Sequence, residues 1–300
     1  MQIPHVPVLY KETLEAFSEI KEGYIIDCTT GFGGHSNGLL EENENINLIC
    51  NDQDDEALAF SAKRLEVFSS RVTFNKGNFE HVLDNFKDYN IRGVLADIGV
   101  SSLQLDKLER GFGFESETLD MRMNQNQSLD ASIVVNTYPQ NELERVFKEY
   151  GEVREYKKVA SLIVNNRPFT SAKQISELLL KKMSKGKIHP ATLPFQGIRI
   201  EVNDELGVLT RLFDSLEAAK LENCIVAIIS FHSLEDRIVK NYFKKWTKSC
   251  ICPAEAFRCE CGNNHSLGKI LTKKPIIPTK EEIRQNPRSR SSKLRIFRFD

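Results

Sequence analysis

Residues Tyr24 to His35, Tyr-Ile-Ile-Asp-Cys-Thr-Thr-Gly-Phe-Gly-Gly-His, constrain the fold more than any other dozen in the chain. Ile25 and Ile26 give the β-branched run of a buried strand, and Asp27 stands at its carboxyl end. Gly31, Gly33 and Gly34 then let the backbone turn sharply and approach a ligand closely. Ser36 to Glu42 opens a helix. A strand, a glycine turn and a helix start recur at the carboxyl edge of open α/β sheets, where nucleotide-like ligands bind. The same turn also serves elsewhere as a plain tight connection.

The unit repeats along the chain. Ile46 to Cys50 reads as a second strand ending in Asn51-Asp52-Gln53-Asp54, with an amphipathic helix from Glu56 to Phe68. Val72 to Phe74 is a third strand leading to Gly77, Asn78 and Phe79, and Arg92 to Ile98 is a fourth. An acidic residue about twenty positions past the glycine turn can accept hydrogen bonds from both ribose hydroxyls of a nucleoside. Asp52 is so placed, although it would serve equally as a helix cap. The fourth strand brings Asp97 to the same edge, followed by Ser101 and Ser102, which suit either chemistry or a helix cap.

This alternation predicts an α/β fold, a parallel sheet with helices on both faces. From about Asp106 the pattern changes to helical periods, at Glu142 to Tyr150, Lys157 to Asn165 and Ala172 to Lys182. Cys224 to Ser230 then reads as a central strand with a helix starting at Phe231 to Arg237, and Lys293 to Phe299 as a closing strand with one face buried. The expected division is 1–105 and 217–300 for the sheet domain, with an inserted helical domain at 106–216.

At 40% hydrophobic and 28% charged residues, the 300-residue chain reads as soluble and globular. No run approaches the roughly twenty apolar residues of a membrane span, and Met1 to Tyr10 lacks a signal-peptide pattern, so the expected place is the cytoplasm. Seven cysteines, an odd number, argue for reduced thiols rather than a secreted disulfide framework. Four of them form two CxC pairs, Cys250 with Cys252 and Cys259 with Cys261, which could hold a structural zinc ion or remain free thiols. The usual ribbon spacing is CxxC.

A net charge of -1 hides an asymmetry: from Arg237 onward sixteen Lys and Arg stand against five Asp and Glu. Interleaved with Tyr242, Phe243, Trp246, Phe257, Phe297 and Phe299, these suit a face that contacts phosphates and stacks on bases. Arg288, Arg290, Lys293 and Arg295 fit phosphate contacts, while Trp246 would stack on RNA or fill the core. His232, at the end of the Cys224–Ser230 strand, could orient a base or take up a proton, or be hydrogen-bonded within the fold. Glu235, Asp236 and Arg237 read as a charge cluster at a helix start.

Taken together, Asp27–His35, Asp97–Ser102, Phe195–Asn203 and Ser230–Arg237 resemble the bacterial 16S ribosomal RNA cytosine-N4 methyltransferases, called RsmH or MraW. His5–Leu9, Arg110-Gly-Phe, Leu119–Met123 and Asn286–Ser292 extend the resemblance over nearly the whole chain. It implies a class I S-adenosylmethionine-dependent methyltransferase fold, with the inserted domain recognising substrate. The implied reaction methylates the exocyclic N4 amine of a cytosine in the decoding centre, the P-site region, of 16S rRNA in the small ribosomal subunit. Gly33, Gly34 and His35 match the loop around the methionine part of the cofactor, Asp52 the ribose carboxylate and Phe79 the aromatic beside the adenine. Asp97 and Gln104 match the remaining cofactor contacts.

The chemistry agrees with these residue types. A cytosine amine is a poor nucleophile because its lone pair is delocalised into the ring, so an acceptor for its hydrogens would favour reaction. Asp97, Ser101 and Ser102 are the candidates, with His232 second. Two rival readings are a nicotinamide-dependent oxidoreductase and a non-catalytic RNA-binding or ribosome-assembly factor on the same fold. Whether the chain forms a homodimer, and whether free RNA or an assembled subunit is the substrate, is open at this level.

Overall fold

The computed structural model describes residues 7–183, 186, 188–253 and 255–300, with the backbone alone for Ser102 and Leu103. His5 and Val6 of the His5–Leu9 signature lie outside the described residues. The chain forms two compact units, one made of Met1–Gly99 with Val208–Asp300 and the other of Val100–Gly207.

The first unit is built on seven strands: β1 (Gly23–Asp27), β2 (Ile46–Asp52), β3 (Val72–Lys76), β4 (Ile91–Asp97), β5 (Ile225–Ser230), β6 (Gly268–Ile270) and β7 (Lys293–Phe299). They lie in the order β3-β2-β1-β4-β5-β7-β6. β1 to β5 pair in parallel, and β7 pairs antiparallel with both β5 and β6. The sheet is therefore mixed, not the parallel sheet expected from the alternation. The reversal arises where the chain leaves β6, a three-residue strand too short to register in the sequence, and returns through the helix Lys280–Gln285 to pair against β5.

Apolar residues on successive positions enter opposite cores, which is why the central strands read as unbroken apolar runs. Ile25, Leu48, Leu95, Ala227 and Ile229 join Leu14, Phe17 and Leu40 on one side. Ile26, Ile49, Val94, Val226 and Ile228 join Phe213, Val239, Phe243 and Trp246 on the other. β7 follows the same rule, with Leu294 and Ile296 in one core and Phe297 and Phe299 in the other. The expectation of one buried face for this strand is corrected accordingly. It lies between two strands, and its charged Arg295 is neutralised by Asp236 rather than by water, at 2.7 Å.

The second unit has no strand among its described residues. Helices Ala131–Thr137, Gln140–Arg145, Tyr156–Asn165, Ala172–Lys182 and Thr192–Asn203 enclose a core that includes Phe112, Val135, Phe147, Ile163, Ile175 and Ile198. The expected period from Glu142 to Tyr150 divides at Val146 into a π-helical turn. Helix Glu205–Ala219 spans the boundary between units: Leu209, Leu212, Phe213 and Leu216 are buried in the sheet unit's core, so that unit resumes at Val208 and not at 217. Among the described residues, no helix is long and apolar enough to cross a membrane.

Three of the signature segments meet inside the second unit. Buried Arg110 donates from Nη2 to the carbonyls of Arg122 and Met123, each at 3.1 Å. A Cβ at Gly111 (φ +79°) would stand 2.5 Å from the Asp120 nitrogen, so only glycine fits there. Asn203 accepts from Met123 N at 2.8 Å and donates to Met121 O at 2.8 Å. Within Phe195–Asn203, Arg199 pairs with Glu205 and Arg145 makes a bidentate pair with Glu201. These motifs build the unit.

Candidate active site

The order of strands reverses between β1 and β4, the position at which open α/β sheets form a ligand crevice at their carboxyl ends. The loop after β1 is shaped by Asp27, which is 2% exposed. Its carboxylate accepts from Ser36 Oγ at 2.6 Å and from Thr29 N at 3.3 Å, and Thr29 Oγ1 in turn accepts from Asp97 N at 2.7 Å. Burial pushes the Asp27 carboxyl above its ordinary range, against the opposing Ser36 bond. With both oxygens engaged, Asp27 organises the loop and couples it to the end of β4.

Gly31 (φ +51°) and Gly33 (φ +68°) adopt the left-handed backbone that the tight turn requires. Gly31 N donates to Asp52 Oδ2 at 2.8 Å, and Asp54 N donates to Asp52 Oδ1 at 3.0 Å. The half-buried Asp52 at the end of β2 thus clamps the glycine turn, whereas the cap of the following helix is Asp54, whose side chain accepts from Glu56 N at 3.0 Å. Burial pushes the Asp52 carboxyl up to about 6, against the pull of the Asp54 and Gly31 N–H groups. Gly34 starts the helix Gly34–Glu42, where an added Cβ would lie 2.4 Å from Pro7 Cγ. Phe79 opens a single 3-10 turn and is partly buried against the core that contains Val82 and Phe86.

His35 and Asp97 stand apart from this satisfied framework. His35 is 7% exposed, its ring stacked on Tyr10 with centroids 6.1 Å apart, and neither ring nitrogen has a hydrogen-bond partner among the described residues. Its Nε2 is 3.8 Å from Asp97 Oδ2, while Asp97 Oδ1 is buried and also without a partner. Buried polar atoms are left unpaired rarely, because the desolvation cost goes uncompensated. Three such atoms stand on these two neighbouring side chains. Neither Thr29 nor Tyr10 was among the residues singled out by sequence: a threonine contacting the backbone and an aromatic stacked on a distant histidine leave no spacing signal.

Ser101 and Gln104, in the second unit, form a reciprocal capping box at the start of helix Ser102–Asp106. Ser101 Oγ accepts from Gln104 N at 3.2 Å and Gln104 Oε1 accepts from Ser101 N at 3.0 Å. The Ser102 side chain lies outside the described residues. His232 similarly caps helix Ser233–Trp246: its Nδ1 accepts from Glu235 N at 3.4 Å, and Glu235 Oε2 accepts from the His232 and Phe231 nitrogens. Its Nε2 is 2.8 Å from Glu235 Oε1. The structure thus realises the hydrogen-bonded alternative for this histidine; a His at the cap position is not a residue type that announces the motif.

The basic, aromatic end of the chain is less exposed than its composition suggests. Phe243, Trp246, Phe297 and Phe299 are core residues, and Tyr242 stacks on Phe213 and donates to Asp214 at 2.7 Å. They sit where the helical and strand periods turn them toward the sheet, so the expected stacking face is corrected; Phe257 alone of the six is fully exposed. Lys293 and Arg295 both pair with Asp236, at 3.2 and 2.7 Å, which occupies two of the four cations expected to meet phosphate. Arg290 is exposed. The four cysteines do come together: the Sγ atoms of Cys250, Cys252, Cys259 and Cys261 all lie within 4.8 Å of one another.

An open seven-stranded sheet with its last strand reversed between β5 and β6 is the class I methyltransferase fold. The chain belongs to the MraW methylase family, whose model matches residues 2–300. It is 81% identical over 300 residues to ribosomal RNA small subunit methyltransferase H of Aliarcobacter butzleri, covering 100% of both chains. To the protein of the same name from Sulfurimonas denitrificans it is 60% identical, covering 98% of each. A solved putative methyltransferase from Streptococcus mutans in complex with SAH aligns with 99% of this chain and all of its own at 10% identity and a TM-score of 0.42, a likeness too distant to add to the reading.

Proposed function

We propose that this chain transfers a methyl group from S-adenosylmethionine to the exocyclic N4 amine of a cytosine in the decoding centre of 16S rRNA. The observation that carries the reading is the pair of unsatisfied side chains, His35 and Asp97, beside the glycine loop, in a chain similar over its full length to named rRNA small subunit methyltransferases. The residues fit the cofactor. A loop with two left-handed glycines admits close approach, and the Asp52 carboxylate is held by two backbone N–H groups, so that its remaining lone pairs suit a ribose diol.

When bound, the cofactor supplies a methyl group already activated by its sulfonium. Gly33, Gly34 and His35 would hold its methionine end, Asp52 the ribose and Phe79 the adenine, with Asp97 and Gln104 as further contacts. The task left to the protein is to position the amine in line, which can supply several kcal/mol, up to roughly 7–11 in well-oriented systems. It must also accept the amine hydrogens as the nitrogen rehybridises. Asp97 is the acceptor we assign, with Ser101, Ser102 and His232 as secondary positions. The Val100–Gly207 unit is assigned to substrate recognition, and the enzyme to the cytoplasm.

Transfer of labelled methyl groups to small ribosomal subunits from cells lacking the enzyme tests the whole reading; label found in large-subunit RNA, or in no RNA, would overturn it. Calorimetric titration with S-adenosylmethionine and NAD separates a methyltransferase from a nicotinamide enzyme. Because the Asp52 carboxyl is pushed up to about 6 and only its ionised form accepts two hydroxyl bonds, cofactor affinity is lost as pH falls through that value. The expected result is binding about tenfold weaker at pH 5 than at pH 7. Asp52→Asn should bind weakly with little pH dependence over that range, and an unaltered profile in that variant would remove Asp52 from the ribose site.

A further inference from the structure

We infer that Cys250, Cys252, Cys259 and Cys261 form a tetrahedral zinc site that closes the connection between helix Ser233–Trp246 and β6. Cys250 Sγ is 3.6 Å from Cys259 Sγ and 3.8 Å from Cys261 Sγ, and Cys259 and Cys261 are 3.6 Å apart. Four thiolates bound to zinc at about 2.3 Å in a regular tetrahedron stand about 3.8 Å from one another, the edge of that figure. A disulfide would bring one pair to about 2 Å and separate the others, whereas here each of these three sulfurs is equidistant from its neighbours within 0.2 Å.

The backbone around the cluster is arranged for anionic sulfur. Ile251 N donates to Cys261 Sγ at 3.4 Å and Glu260 N donates to Cys252 Sγ at 3.3 Å, so each CxC segment directs an amide at a sulfur of the other. Gly262, at φ +85°, lets the chain turn away directly after the last cysteine. The four side chains lie in a mostly exposed loop whose described residues form no apolar core of their own, and residues 251 and 257 project into solvent. A metal would supply the cross-link that packing does not. The loop is anchored on the sheet unit by Leu267 N to Trp246 O at 2.8 Å and His265 N to Ser249 O at 3.0 Å, so the site would fix the end of that helix relative to β6.

Three buried cysteines, Cys28, Cys50 and Cys224, serve as internal controls for the test. The full chain, made without a histidine tag and kept reduced, should contain about one zinc per molecule, and cobalt(II) added to the metal-stripped protein should give the ligand-field bands of a tetrahedral site with thiolate charge-transfer absorption. Iodoacetamide should label these four cysteines only after a chelator is added, while the three buried ones stay unlabelled in both states. Cys252→Ser and Cys259→Ser should each lower the zinc content severalfold. Wild-type protein without stoichiometric zinc and without the cobalt spectrum would overturn the inference. So would four thiols that alkylate equally fast with and without chelator, or full zinc content in both serine variants.

Discussion

Asp97→Ala is expected to lower methyl transfer by about 10²- to 10⁴-fold, the range contributed by a positioned proton acceptor, with little change in melting temperature. The stability half of this expectation follows from the geometry. Asp97 N donates to Thr29 Oγ1, a backbone bond that alanine retains. Its side chain is 25% exposed, and its buried Oδ1 has no partner, so truncation strands no donor on a neighbouring group. Removing a buried, uncompensated carboxylate oxygen is neutral or mildly stabilising. A structural carboxylate would behave in the opposite way.

Asp236 is such a contrast. Burial would raise its carboxyl, but hydrogen bonds and charge from Arg295 and Lys293 hold it below the usual range. Steady-state kinetics then separate two roles for Asp97. If it accepts the amine hydrogens, kcat falls at saturating cofactor while calorimetric cofactor affinity changes little. If it only contacts the cofactor, affinity falls and saturated kcat is retained. Turnover and affinity both equal to wild type would remove Asp97 from the reaction.

The first four strands are legible because each runs into an acid or a glycine turn, and these signals are local. The two acids at the edge are legible for the same reason. What the sequence could not carry was pairing. The reversal of β7 depends on a three-residue strand, Gly268–Ile270, and on contacts between residues some seventy positions apart, such as Ile225 with Arg298. The basic and aromatic residues of the C-terminal segment alternate along one stretch of sequence, yet Arg295 and Phe297 differ in destination. The first ends on Asp236 beside the helix, and the second enters the core. Composition reports which groups are present, and burial decides which remain available to a partner.

His232 shows the same limit at a single side chain. Its place after β5 suits both catalysis and capping, and only the 3.4 Å bond from Glu235 N places it at a helix start. Asp52 resolves differently: its oxygens clamp the glycine turn through Gly31 N and Asp54 N, and the helix cap that its position also allowed falls two residues on, to Asp54.

Trp246→Ala should destabilise the protein by about 3–5 kcal/mol, the cost of removing a large aromatic side chain from a close-packed core. The indole is 1% exposed, and its ring centroid lies 4.9 to 5.9 Å from those of Phe213, Tyr242, Phe243, Phe297 and Phe299. Its Nε1 donates to Glu217 Oε2 at 2.8 Å, an atom that also pairs with Lys245 at 2.7 Å. One side chain therefore joins helix Glu205–Ala219, helix Ser233–Trp246 and β7. Against a total stability of about 5–15 kcal/mol, its loss is large.

In urea, the midpoint should fall while the slope stays near the wild-type value. Trp246→Phe should recover most of the loss, because it keeps the apolar contacts and gives up one bond to a carboxylate that retains Lys245. Trp246 is the single tryptophan of the chain, so native fluorescence provides an independent reading. Emission should be blue-shifted and shielded from acrylamide, and it should stay so when RNA is added. Quenching or a spectral shift on RNA binding, together with an unaltered urea midpoint in Trp246→Ala, would return this residue to the RNA-stacking role and remove it from the core.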